Sequence, residues 1–192
     1  MDILVAGLIV FLGLHSLRIF FEGGRATALA RLGEARFKGA YSVLSLIGLV
    51  LLVYGYGVAR DNAVALYDPP TGLRHLTLAL VPIAFILVAS AYGPIGHIKA
   101  AVRHPMVLGV ALWAFGHLLS NGTSADVVLF GASFVWALLD YASSLRRTAR
   151  EGTEPVAKGV RGDIGAVVIG LVLAGIFVGG LHRWLFGVSP LP

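Results

Sequence analysis

The residues able to do chemistry in this chain are few, six histidines and no cysteine. Without thiols there are no disulfides, thiolate ligands or thiol redox steps, so any metal or cofactor must be held by histidine. Two histidines share the apolar stretch RHPMVLGVALWAFGHLLSNG, residues 103–122: His104 and His117. At about 100° and about 1.5 Å per helical residue they lie about 20 Å apart on nearly opposite faces, so they must do different jobs. His117 shares a face with Trp113, Asn121 and, more loosely, Gly109, while Gly116 removes bulk beside it. A flat ligand needs that set: a coordinating nitrogen, an aromatic wall and missing side chains where a ring must approach. An interhelical hydrogen bond accounts for the same imidazole equally well.

His15 is the second histidine in apolar surroundings, beside Gly13 and Ser16. An imidazole inside a membrane span is costly without a partner and is a functional candidate by default. Its bland alternative is a hydrogen bond to Ser42 or Ser45 on the next apolar helix. Counted from helix midpoints, His15 and His117 differ by about 11 Å in depth. That is too far for a small tetrahedral site, yet compatible with axial ligation from opposite faces of a tilted porphyrin. Bis-histidine haem is therefore the metal site this sequence tolerates best. Catalytic zinc is disfavoured, since no HExxH, close histidine pair or intramembrane carboxylate triad is present.

The remaining polar candidates sit at span ends. His97 and His104 flank the entry of the fourth apolar run beside Lys99 and Arg103, with Pro105 suited to the first helical position and His104 to the cap. The edge reads either as an anion- or nucleotide-binding helix start or as a solvated cluster. His75 and His182 are expected at the opposite surface, His182 beside Arg183 and Trp184 in an interfacial belt. Asp140 is the carboxylate well inside an expected span, two turns before Arg147, and is expected to pair or snorkel there.

These residues need elements to position them, and composition says which. Of 192 residues 57% are hydrophobic and 13% charged, and the mean hydropathy is +0.85, values foreign to an ordinary water-soluble domain. Six apolar runs approach bilayer length: 3–21, 41–59, 74–92, 105–120, 126–145 and 164–186. Only Asp2 precedes the first run and no small-residue cleavage site follows it, so it reads as a span rather than a secretory signal. The expected fold is all-α, a single domain over 1–192 forming an integral membrane bundle of about six helices. Twelve of the fifteen Lys and Arg residues fall in the first, third and fifth connections or their flanks. The positive-inside rule makes those connections cytoplasmic and places both termini on the outer, periplasmic side. Topology thus explains the net charge of +5, and no nucleic-acid partner is implied.

Between spans, RRTAREGTEPVAKGVRGD (146–163) reads as a mobile cytoplasmic loop. In the last run Ala166, Gly170 and Ala174, and again Gly175 and Gly179, allow close helix approach, within the chain or in a homo-oligomer. Pro82 is placed to kink the third run.

In feature order the chain resembles the NnrU-domain family. The resemblance rests on His15, ARLGEARFKGAYSVLSLIGLVLLVYGY (30–56), RHPMVLGVALWAFGHLLSNG (103–122), LFGASFVWALLD (129–140) and HRWLFG (182–187). It implies a multi-pass protein of the bacterial inner membrane linked to denitrification, that is, nitrite and nitric oxide reduction. Plant relatives with this domain include a ζ-carotene isomerase, a haem b enzyme with two histidine ligands. Its ligand thirteen residues after the RHP histidine matches His117, and its first-helix ligand matches His15. That enzyme has a cysteine three residues before the second ligand where this chain has Ala114, so ligand switching on redox change is not implied.

GPIGHIKAAVRHPMVLG (93–109) is also similar to the GPYxxVRHPxYxG pattern of isoprenylcysteine carboxyl methyltransferases and phospholipid methyltransferases, which bind S-adenosylmethionine. Their Glu-containing helix pair and Arg-Phe-x-Pro segment do not follow here. The leading expectation is haem b held by His15 and His117, with Trp113 and Gly116 shaping the pocket. The role would be denitrification, with an enzyme partner, or isomerisation of a hydrophobic small molecule such as a carotenoid. The alternatives are an S-adenosylmethionine-dependent membrane methyltransferase and a non-catalytic membrane assembly factor.

Overall fold

The computed structural model describes residues 1–191. Long apolar runs with few breakers form helices, and the described residues contain no strand, only an isolated bridge between Ala65 and Thr123. The long helices are α1 (Asp2–Phe20), α3 (Glu34–Arg60), α4 (Thr71–Tyr92), α6 (Pro105–Ser120), α7 (Ser124–Glu151) and α8 (Arg161–Ile176). Two short helices, α2 (Glu22–Leu32) and α5 (His97–Val102), occupy connections. A π-helical turn, Phe177–Leu181, joins α8 to α9 (His182–Phe186) and contains Gly180 at φ 154°, a conformation that favours glycine. Five segments are long and apolar enough to cross a membrane: α1, α3, α4, α7 and Arg161–Phe186. The sixth, α6, has 16 residues, about 24 Å of helix.

In space the long helices follow the order α3, α1, α7, α6, α4, α8. Glycines set the closest approaches. A Cβ on Gly48 would stand 2.8 Å from the Phe11 backbone nitrogen, Gly7 faces the Leu52 backbone, and Gly55 faces that of Leu4. Residue numbers therefore run in opposite senses along α1 and α3, an antiparallel seam. A Cβ on Gly109 would press on the Ala84 carbonyl and Val88 of α4, and one on Gly170 would stand 2.6 Å from Ile86 of α4. Ala166, Gly170 and Ala174 are buried, so that stripe serves packing within the chain, whereas a Cβ on Gly175 or Gly179 would meet no other element within 4 Å. α4 continues through Pro82 without a break in the helix.

Antiparallel packing sorts the connections into two ends. The turn end holds residues 61–70 and 121–123, where the Leu66 and Tyr67 amides donate to the Gly122 carbonyl and Ser124 donates to that of Val64. α9 closes over this end, since Arg60 donates to the Phe186 carbonyl at 2.9 Å. The basic end holds α2, α5 and the 152–160 connection, whose Lys158 amide donates to the Ile95 carbonyl. The main core, Leu4, Leu8, Ala59, Ala114, Ala125, Leu129 and Phe130, lies among α1, α3, α6 and α7 toward the turn end.

Candidate functional site

α7 is the helix against which the candidate histidines pack. Its buried polar side chains, Asp126, Ser133, Ser144, Arg147 and Thr148, recur at helical spacing and mark an inward stripe. His117, His15 and His104 meet α7 at three successive levels.

At the turn end, the His117 ring stacks on Phe130 with centroids 4.7 Å apart and planes at 27°. Trp113 flanks both rings, 5.0 Å from His117 and 5.2 Å from Phe130. Nδ1–H of His117 donates to the Trp113 carbonyl at 2.8 Å, which fixes the ring and leaves Nε2 as the nitrogen free to act. His182 of α9 lies within electrostatic reach of this imidazole. Asn121 donates to the His117 carbonyl at 2.8 Å and so ties down the helix end rather than the ring.

Gly116 does not lie at the His117 ring. It faces α4, where a Cβ would meet Val81 at 3.5 Å and Thr77 at 3.6 Å, and its carbonyl accepts from the Thr77 hydroxyl at 2.6 Å. Adjacent residues on a helix point about 100° apart, so a glycine next to His117 clears the α4 contact instead of the pocket.

One level further in, Nδ1–H of His15 donates to the Phe11 carbonyl at 2.6 Å. Its ring is bounded by Phe11 at 4.5 Å, Tyr41 at 5.4 Å and Trp136 at 6.1 Å. The cross-helix bond to Ser42 or Ser45 is not made, and the Phe11 carbonyl on its own helix takes the proton instead. Ser45 Oγ and Trp136 Nε1 are buried without a hydrogen-bond partner. Phe130 and Trp136 are six residues apart on α7, which offsets the two histidine levels by about 9 Å, close to the depth difference anticipated from spacing.

At the basic end His104 occupies the N-cap position of α6 with Pro105 just inside, but its ring does not cap the helix. Nε2 instead shares a 2.9 Å hydrogen bond with Thr148 Oγ1. Asp140 does not pair with Arg147, whose guanidinium donates to Ser144 Oγ at 2.8 Å; Arg147, His104, Arg18 and His15 all lie within its electrostatic reach. His97 is held by Asp163, whose carboxyl group accepts from the amides of His97 and Ile98 and lies 2.9 Å from His97 Nδ1. The chain's own carboxyl group thus fills the start of α5, the place a nucleotide would use. His75 is exposed on α4, and His182 is fixed by a 2.8 Å bond from Nδ1 to the Val188 carbonyl.

Asp126 is the functional-looking residue that spacing did not single out. Its carboxyl group accepts from Tyr56 Oη at 2.6 Å and from Thr123 Oγ1 at 2.6 Å, and Thr123 Oγ1 accepts from the Asp126 amide in return. The Thr123-x-x-Asp126 capping box was readable in sequence; the Tyr56 bond, across seventy residues, was not. Among the described residues no group of three or more His, Asp or Glu side chains forms a metal site. A metal held here would rest on paired imidazoles from different helices.

An all-helical chain with five segments fit to span a bilayer and a polar stripe along one inner helix is a multi-pass membrane protein. The chain belongs to the NnrU protein family, whose family model matches residues 3–190. No curated protein and no solved structure matches it.

Proposed function

We propose that the chain is a haem b protein in which His15 and His117 would hold the iron. One observation carries this reading: each imidazole gives Nδ1–H to the carbonyl four residues earlier and keeps Nε2 free. Histidines that ligate metals have their second nitrogen bonded in this way, which sets the tautomer and makes Nε2 the basic nitrogen. Trp113, Phe130, Tyr41 and Trp136 supply aromatic planes around the pair, and the partnerless Trp136 Nε1 is a spare donor beside His15. When bound, the haem would supply one-electron chemistry, tuned by the two imidazoles that hold it. The protein's part is to fix both rings and exclude water.

The physiological role we assign is support of nitrite and nitric oxide reduction in the bacterial inner membrane, with six spans and both termini outside. Isomerisation of a hydrophobic polyene is the enzymatic form of the same site. Absorption spectra of protein purified in mild detergent from haem-sufficient cells, with a pyridine haemochrome assay, test the proposal. A stoichiometric b-type spectrum, with the Soret band cut at least about tenfold in His117→Ala and in His15→Ala, is the expected result. A Soret band of wild-type intensity and position in both variants would refute the ligand assignment.

A further inference from the structure

We propose a second binding site, for a phosphate group, at the basic end where α4, α5 and α6 meet. A cavity of about 200 Å³ opens there, lined by Lys99, Arg103, His104, Met106 and Val107 among others. That volume holds a phosphate with room for its substituents.

The wall carries two fixed cations and little to neutralise them. Lys99 donates through Nζ to the Ala91 carbonyl at 2.7 Å and has no carboxylate partner among the described residues. Arg103 has one, Glu154 of the 152–160 connection, at 2.9 Å with both side chains part-exposed. An exposed pair of this kind is worth little in water, so a doubly recognised phosphate can displace it.

Backbone donors complete the lining. The amides of Met106 and Val107 have no backbone acceptor outside α6 among the described residues, because they lie in its first turn and the one side chain at the cap position, His104, bonds Thr148 instead. Met106 and Val107 also place apolar side chains beside the cations, which suits a phosphate esterified to an apolar body. Basic pockets between membrane helices recognise phospholipid head groups by this combination. The ligand class is a phosphate ester, supplied as a phospholipid head group or as a free phosphate ester. The cavity lies at the end of the bundle away from His117, so the two proposals can fail separately.

The test is titration of the detergent-solubilised protein, followed by microscale thermophoresis, with dihexanoyl phosphatidylglycerol, dihexanoyl phosphatidylcholine and glycerol phosphate. Phosphatidylglycerol should bind, and Lys99→Gln with Arg103→Gln should weaken it by about tenfold or more. Arg31→Gln with Arg36→Gln, which removes equal charge from α2 and α3, should leave the affinity within about twofold. Lys99→Gln alone, which retains a donor for the Ala91 carbonyl, should weaken binding about threefold, and Glu154→Gln should strengthen it by freeing Arg103. If glycerol phosphate binds as well as phosphatidylglycerol and depends on the same residues, the site takes a free phosphate ester. If only the diacyl compound binds, it takes a lipid. Equal affinity in wild type and in the Lys99/Arg103 variant, or equal loss in the Arg31/Arg36 variant, would overturn the proposal.

Discussion

The two ends of the bundle hold their histidines by different physics. At the turn end the contacts are short, interlocked and largely withdrawn from solvent: Tyr56 and Thr123 on Asp126, Asn121 on the His117 carbonyl, Thr77 on that of Gly116. At the basic end His104 keeps its bond to Thr148 and Arg147 its buried bond to Ser144, but the contacts around them are exposed ion pairs, Arg103 with Glu154 and Arg150 with Glu22. The same chain thus fixes His117 through bonds that solvent and salt hardly reach and surrounds His104 with charges that both can screen. A ring meant to keep one orientation belongs at the first end, and a surface meant to exchange partners belongs at the second.

Breaking the turn end should cost most. Asp126→Ala removes the carboxylate half of the α7 capping box and leaves the Tyr56 hydroxyl without its partner, an expected loss of about 3 kcal/mol of unfolding free energy in detergent. Asp126→Asn, which keeps acceptor capacity, should recover part of it. Equal stability of wild type and Asp126→Ala would show that the turn end is no better held than the other.

A smaller effect is expected at Tyr67, whose hydroxyl donates to the carbonyls of Leu118 and Asn121. Tyr67→Phe should cost about 1 kcal/mol. Burial first, and Asp126 second, hold the Tyr67 phenol above its ordinary value. A group raised on folding stabilises fully below its unfolded pKa of about 10 and loses that contribution as pH rises through the folded value. The difference between wild type and Tyr67→Phe should therefore persist at neutral pH and shrink above pH 10. Alkaline melts that stay parallel would contradict it.

At the basic end Arg150→Gln should change stability by no more than about 0.5 kcal/mol, and the difference should fall with added salt. A loss as large as that of Asp126→Ala would erase the contrast between the ends.

How far the sequence reached follows the same division. The apolar runs became the long helices with ends shifted by up to seven residues, the last of them divided into α8, the π turn and α9, and α6 occupies 105–120 as expected, because hydropathy and the Pro105 start are local signals. His104 at the cap position and the Ala166, Gly170, Ala174 stripe were legible for the same reason. The short α2, which buries no residue, and the six-residue α5 were not, since neither is apolar enough to stand out from a connection. The partner of each polar group escaped altogether. Asp163 at His97, Tyr56 at Asp126 and Thr148 at His104 are pairs separated by 66, 70 and 44 residues, and spacing along one helix carries no information about them. Gly116 differs in kind: its place next to His117 in sequence suggests room for a ligand, whereas helix geometry turns it toward α4.

The position of α7 bears on how the chain assembles. α1 and α3 follow one another and close along a glycine seam, so they can form a hairpin as soon as both have emerged. α4 and α6 can do the same further along. Neither hairpin packs extensively on the other; each waits for α7, which touches both. A ribosome that has just released residue 151 has therefore delivered the strut joining two pre-formed halves, and only α8, returning to α4, is left to dock. Mutations on the inward stripe of α7 should accordingly raise the share of chains that insert their hairpins yet never mature, a defect visible as proteolysis during synthesis rather than as a lowered melting temperature.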